Sequence, residues 1–212
     1  METVVVIDYS MGNLRSVAKA LEHVAGAGQR IVISDQPRDV AAASRIVFPG
    51  QGAMRDCMAE LNARGLHDAI VEAAASKPFF GICMGLQGLM EESDESPGTP
   101  GLGLLKGNVK RLPERDEDSG ARLKIPHMGW NQVNQRGQHP MWSEIADGER
   151  FYFVHSFRVV PAEPEVTAAT TRYGTDFVCA IARDNLFAVQ FHPEKSQQAG
   201  LRLMANFLSW RP

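Results

Sequence analysis

Phe79-Phe80-Gly81-Ile82-Cys83-Met84-Gly85-Leu86-Gln87 is the stretch whose reading decides the fold. An apolar run, Pro78–Ile82, passes without a spacer into Gly-x-Cys-x-Gly, and a helical pattern over Met84–Glu91 follows. Strand, sharp turn and helix in that order form a nucleophile elbow, here with cysteine at its tip. Flanking glycines suit such a turn, because side chains there would strike neighbouring backbone. Cys83 then stands at a helix N-terminus, where the dipole favours thiolate over thiol. The N–H of Met84 points toward an oxyanion forming on a bound substrate. Most free cysteines are buried structural residues; the elbow sets Cys83 apart from Cys57 and Cys179.

The same alternation extends on the N-terminal side. Thr3–Ile7, Arg30–Ile33 and Arg45–Phe48 are short apolar runs of the kind that strands buried on both faces require. Leu14, Val17, Ala18, Leu21 and Val24 form one helical stripe, and two further helical stretches cover Ala53–Arg64 and Leu66–Ala75. Strand-helix alternation predicts an α/β fold with a parallel sheet covered on both faces. After Ser93–Gly101, a loop rich in Ser, Pro and Gly, the pattern changes. Glu114–Gly120 is a charged turn. Asn108–Arg111, Phe151–Val159, Val166–Thr171, Phe177–Ala182 and Phe187–Phe191 suggest antiparallel strands added to the parallel core. Gln197–Trp210 closes the chain as an amphipathic helix. With no internal repeat and no linker, residues 1–212 are expected to form one domain.

Composition narrows the function class. A net charge of −3 gives no footprint for nucleic acid or an anionic membrane. No apolar run approaches the ~18 residues of a membrane span, and the N-terminus has no signal-peptide pattern. Three widely spaced cysteines without a Cys-x-x-Cys pair argue against a disulfide framework or a zinc site. The cytosol is the expected compartment. Neither a metal-ligand cluster nor a phosphate loop is present, so metal-free and cofactor-free acyl transfer through a thiol is the chemistry expected.

A thiolate nucleophile needs a base, and the base needs an orienting group. His192-Pro193-Glu194 supplies both at a strand end, with the i and i+2 side chains of an extended segment pointing the same way. Phe48-Pro49-Gly50-Gln51-Gly52-Ala53, after the third strand, offers backbone amides of Gly50, Gln51 and Gly52 as a second oxyanion donor.

Pro49-Gly50-x-Gly52, Gly81-Ile82-Cys83-x-Gly85-x-Gln87 and His192-Pro193-Glu194 together resemble, in order and spacing, the class I (triad) glutamine amidotransferases, over nearly the whole chain. That resemblance implies a flavodoxin-like three-layer fold, mostly parallel with helices on both faces plus added antiparallel strands. It implies a γ-glutamyl thioester on Cys83, and L-glutamine held by Gln87 and by backbone near His155, Ser156 and Phe157. Asp8-Tyr9-x-x-Gly12-Asn13-Leu14, Pro126-His127-Met128-Gly129-Trp130-Asn131, Tyr152-Phe153-Val154-His155-Ser156 and His192-Pro193-Glu194-Lys195-Ser196 look like one branch of that family, the glutaminase subunits of imidazole glycerol phosphate synthases. The branch implies a heterodimer with a (β/α)₈ cyclase subunit that receives the ammonia in histidine biosynthesis. Since the motifs fill the chain, an ammonia-accepting domain is expected on a separate protein. By resemblance Tyr9, Asn13, Trp130, Tyr152 and Lys195 form the docking face. Ser10-Met11 and Gln51 depart from the branch, which often has Gly-x and Val there. A glutaminase of the anthranilate or aminodeoxychorismate synthase type is the nearest competitor, and the Pro126–Asn131 run and the Asp8–Leu14 loop argue against it. A flavodoxin-like cysteine peptidase or chaperone would not need Gln87 or a distant His-x-Glu. A nucleotide-binding module fits the fold alone.

Overall fold

Val4, Val5, Val6 and Ile7 are all fully buried, as a strand covered on both faces must be. The computed structural model describes all 212 residues. In chain order its first elements are β1 (Glu2–Ile7), α1 (Leu14–Val24), β2 (Gln29–Ser34), α2 (Pro37–Ala42), β3 (Arg45–Gly50), α3 (Met54–Ala63), α4 (His67–Ser76), β4 (Phe79–Cys83) and α5 (Met84–Gln87). Strands β5 (Glu92–Ser93), β6 (Gly107–Arg111), β7 (His127–Gln132), β8 (Asn134–Gln135), β9 (Arg150–His155) and β10 (Phe157–Pro161) follow. Then come β11 (Thr167–Arg172), β12 (Asp176–Arg183), β13 (Leu186–Val189) and α6 (Gln197–Ser209).

The main sheet runs β2-β1-β3-β4-β13-β12-β10-β6-β5, with β11 joining β12 to β8. From β2 to β13 every pairing is parallel; β13, β12, β10 and β6 pair antiparallel. Successive strand residues feed opposite cores. Val4, Val6, Val47, Phe80 and Ile82 pack with α1 and α6 on one face. Val5, Ile7, Ile46, Phe48 and Phe79 pack with α2, α3 and α4 on the other. This is the three-layer α/β architecture expected, with antiparallel strands extending its parallel half. No helix is long and apolar enough to cross a membrane.

Three expectations need correction. Phe151–Val159 is two strands in two sheets: β9 pairs only with β7, in a separate ribbon, and β10 joins the main sheet. Ser156 is the bend between them. The helix expected over Met84–Glu91 stops at Gln87. Its next carbonyls are taken from outside: Gly88 O accepts from Leu102 N at 2.8 Å, Leu89 O from Leu105 N at 2.9 Å and Met90 O from Gly103 N at 3.2 Å. Those bonds pull the chain out of helical register. The strand expected over Phe187–Phe191 ends at Val189, leaving Gln190 and Phe191 as bends toward the site.

At the elbow, a Cβ built on Gly85 would fall on the carbonyl oxygen of Phe48, deep inside contact distance. This glycine lets α5 lie directly on β3. Gly85→Ala is expected to destabilise by about 3 kcal/mol or more, because the obstacle is backbone and no rotamer relieves it. Thermal unfolding checks this: a fall of roughly 6–12 °C is expected for a chain of this size. Gly28→Ala, whose Cβ meets nothing within 4 Å, should stay within about 0.5 kcal/mol.

Candidate active site

Strands β3, β4 and β13 are neighbours in the sheet, and each delivers one part of the site at its C-terminal end, the usual position in open α/β sheets. Gly50 lies opposite Cys83 in the β3–β4 ladder, and β13 runs parallel to β4 on the other side before leading to His192.

Cys83 adopts φ 56° and ψ −104°, a strained combination for a residue with a Cβ. Strain at this residue holds the side chain at the sheet edge while the chain reverses into α5. The thiol is almost buried, and the single turn of α5 aligns only the first few N–H groups behind it. Helix support for a thiolate is therefore smaller than the expected longer helix implied.

His192 and Glu194 are brought together, though not as an extended i, i+2 pair. Pro193–Lys195 forms a single 3₁₀ turn, and this turn carries Glu194 Oε1 to 2.8 Å from His192 Nδ1. Their side chains are only 3 % and 1 % exposed. His192 Nε2 has no hydrogen-bond partner, so it is free to serve a bound molecule. Burial pushes the imidazole down, but Cys83 and Glu194 outweigh it and hold it up at about 10.

These groups open on a cleft of about 460 Å³ that Gln51, Gly52, Cys83, Gln87, Ser156 and His192 help to line. The cleft also admits Met84, His155 and Phe157. Gln87 donates its amide to Phe157 O and to Gln190 Oε1, both at 3.0 Å. With both N–H groups used, its oxygen is what remains for a ligand. Phe157 O also accepts from His155 Nδ1 at 2.8 Å, so this carbonyl has no lone pair left. His155 Nε2 then accepts from His127 Nδ1 at 2.9 Å, and His127 Nε2 lies 3.3 Å from Asn131 Nδ2. A carbonyl can only accept, so it fixes both tautomers. Burial first, with neighbouring histidine charge and against the Phe157 bond, pushes His155 down to about 3. Burial pushes His127 down to about 4. Both rings are neutral props, and around His155 only backbone remains for a substrate.

Of the five docking candidates, Trp130 and Tyr152 face each other across the β7–β9 ribbon, their rings 6.1 Å apart. Lys195 Nζ sits 5.8 Å from the Tyr152 ring centre. Asn13 is exposed at the start of α1. Tyr9 is a correction: it is fully buried, because its ring packs on Phe48 under the end of β3. A Cβ on Gly50 would collide with the Tyr9 hydroxyl. Tyr9 thus buttresses the Gly50 loop from below and offers no surface. Two departures also have a structural setting. Ser10 sits at φ 65°, where glycine is easier, and it is held by Asp8 Oδ1 at 2.9 Å and Arg64 Nη2 at 2.6 Å. Gln51 lines the cleft.

Sequence reasoning missed Gln190, Met128 and the His127–His155 pair. Gln190 is a fully buried polar residue whose Nε2 is 3.7 Å from Cys83 Sγ. A glutamine inside Phe187–Phe191 was the available signal. Met128, 58 % exposed beside Trp130 at 41 %, extends the apolar rim.

The family described as glutamine amidotransferase class-I matches residues 5–210. The chain is 60 % identical to "Imidazole glycerol phosphate synthase subunit HisH" of Aromatoleum aromaticum, over 100 % of both chains. It is 58 % identical to the protein of the same name from Dechloromonas aromatica, covering 100 % of this chain and 98 % of that one. Among solved structures, a glutamine amidotransferase superposes with TM-score 0.71 at 19 % identity, over 97 % of each chain. The Thermotoga maritima PurLQS structure gives 0.70 at 21 %, over 98 % of each. At such identities the structures speak for the fold.

Proposed function

The chain belongs to the class-I glutamine amidotransferases, and on that premise we propose that it is the glutaminase subunit of an imidazole glycerol phosphate synthase. The reading rests on identity of 58–60 % to subunits of that name along the full chain, and the chemistry on one observation. Cys83, an imidazole with a free Nε2, and a buried carboxylate on its other nitrogen meet at one cleft. We take residues 1–212 as one amidotransferase domain working in the reducing cytosol, where its three free cysteines stay thiols.

The Cys83 thiolate attacks the side-chain carbonyl carbon of glutamine. Negative charge moves to the carbonyl oxygen, which the Met84 N–H and one N–H of Gly50–Gln51–Gly52 receive. His192, oriented by Glu194, donates the proton at Nε2 to the departing nitrogen, and ammonia leaves. The same nitrogen then takes a proton from water, whose oxygen attacks the thioester; glutamate departs and Cys83 is restored. Gln87 offers its amide oxygen to the donors of the bound glutamine. Ammonia passes to a (β/α)₈ cyclase docked on the rim that Trp130, Tyr152, Lys195 and Asn13 supply, which joins it to the nucleotide substrate.

Idle hydrolysis would waste glutamine, so a peptide of Gly50–Gly52 that turns its N–H into the site only when the loaded partner is docked is a natural control. One missing oxyanion donor slows such chemistry by ~10²–10³. Glutamate release is therefore expected to rise by about that factor when the cyclase and its nucleotide are added to the purified chain. Equal rates with and without them would remove both the partner and the control.

A further inference from the structure

Gln190 is a fully buried amide among apolar neighbours, and such a group must find partners. The direction of its bonds is set from outside. Phe157 O can only accept, so the atom that Gln87 presents to it at 3.0 Å is nitrogen. The second N–H of that nitrogen points at Gln190, which must answer with oxygen, again at 3.0 Å. The amide nitrogen of Gln190 is thereby turned to the sulfur of Cys83, 3.7 Å away. Reversing either amide would set like against like at one end of the chain. A backbone carbonyl on β10 thus dictates that a donor, never an acceptor, faces the sulfur.

A thiolate accepts a hydrogen bond far better than a thiol, so a donor fixed at the sulfur favours ionisation. The site needs one: α5 is a single turn. We infer that Gln190 holds and stabilises the Cys83 thiolate, with Gln87 and the Phe157 carbonyl keeping its amide the right way round. The inference rests on Cys83 being the nucleophile. Other ionisable groups near the sulfur are His192 with Glu194 behind it, Tyr9 beneath, and Glu95, His155 and Lys195 on the cleft wall. Gln190, which does not titrate, donates to Sγ whatever the charge on these groups.

The rate of iodoacetamide alkylation, followed against pH on the full chain, tests this. Cys83→Ala serves as the blank. Cys57 is buried and pushed up to about 12, and Cys179 is raised as well, so the blank should be low. In Gln190→Met, which keeps the length and removes the donor, the midpoint is expected to rise by about one pH unit. The plateau at high pH should rise about threefold, because a more basic thiolate is a better nucleophile. Gln190→Asn, which retracts the donor but keeps a polar core, should move both in the same direction by less. It carries the test if the methionine variant fails to fold. Damage to packing alone would change access to the thiol, and so the plateau, while leaving the midpoint in place. An unchanged midpoint in a folded variant overturns the inference. A wild-type chain that reacts no faster than the blank removes the nucleophile reading itself, and the Gln190 role with it.

Discussion

Replacing Cys83 by alanine is expected to reduce glutamate release from glutamine to the level of the blank, a loss of at least about 10⁴-fold. Removal of the nucleophile from a serine triad costs on the order of 10⁶ in kcat, and no neighbouring group here can substitute. The other two cysteines lie in the packed core, Cys57 on α3 and Cys179 on β12. Alanine keeps the Cβ and so the backbone demand of the elbow. The deleted sulfur leaves a small void, costing about 1 kcal/mol and a few degrees in Tm. Activity lost with the fold nearly intact is the expected pair of results, measured by a coupled glutamate assay and thermal unfolding, with the cyclase present. Residual release above a tenth of wild type would show that the chemistry does not pass through Cys83.

Glu194→Gln is the second large effect. The amide retains an oxygen for His192 Nδ1 and places its nitrogen where Oε2 now lacks a partner, so shape is kept and charge is lost. The corresponding change in a serine triad costs ~10⁴ in kcat, through the wrong tautomer. A thiol ionises more readily than a hydroxyl and depends less on its base, so we expect a loss of roughly 10²- to 10³-fold. The pH dependence carries a second signature. His192 is raised from its ordinary value to about 10. Its protonated form therefore contributes stability that is full below about pH 6.5 and lost as pH rises through about 10. The carboxylate supplies part of that rise, so in the glutamine variant the loss must set in at lower pH. Tm measured from pH 6 to 10 in both proteins shows it. Parallel curves would mean that Glu194 orients the ring without holding its charge.

How legible the molecule was depended on how far apart the determining residues lie in sequence. The elbow could be read because strand, glycines, cysteine and helix start are consecutive, and each element confines the next. His192 and Glu194 were readable for the same reason, although the turn that joins them is 3₁₀ and not extended. The end of α5 could not be read: its carbonyls are claimed by Leu102, Gly103 and Leu105, more than a dozen residues on. Nor could the break at Ser156. Phe151, Phe153, His155 and Val159 are buried and Phe157 half-buried, so in the sequence a period of two in apolar and aromatic residues runs straight across the change of sheet. Gln190 looked like a polar residue in an apolar strand because its partners, Phe157 O through Gln87 and the sulfur of Cys83, arrive from other strands. Tyr9 was assigned to the surface by resemblance, and only the packing of β3 above it shows that it is buried.

The three-strand arrangement β3-β4-β13 also fixes how the site comes apart. Cys83, the Gly50–Gly52 loop and His192, to which nucleophile, oxyanion and base roles are proposed, follow from adjacent strands at the middle of the main sheet, where amide exchange requires the rarest openings. The strands that carry Cys83 and lead to His192 are therefore among the last to part, while the Gly50–Gly52 peptide at the end of β3 keeps its freedom to turn. The rim behaves differently: β7 is paired only with β9 and buries little beyond His127, whereas β9 is anchored by Phe151 and Phe153 in the core. On the proposed reading, fraying of β7 would remove Trp130 from the docking rim while Cys83 stays in place, so heat should weaken capture of the cyclase before it abolishes alkylation of the thiol.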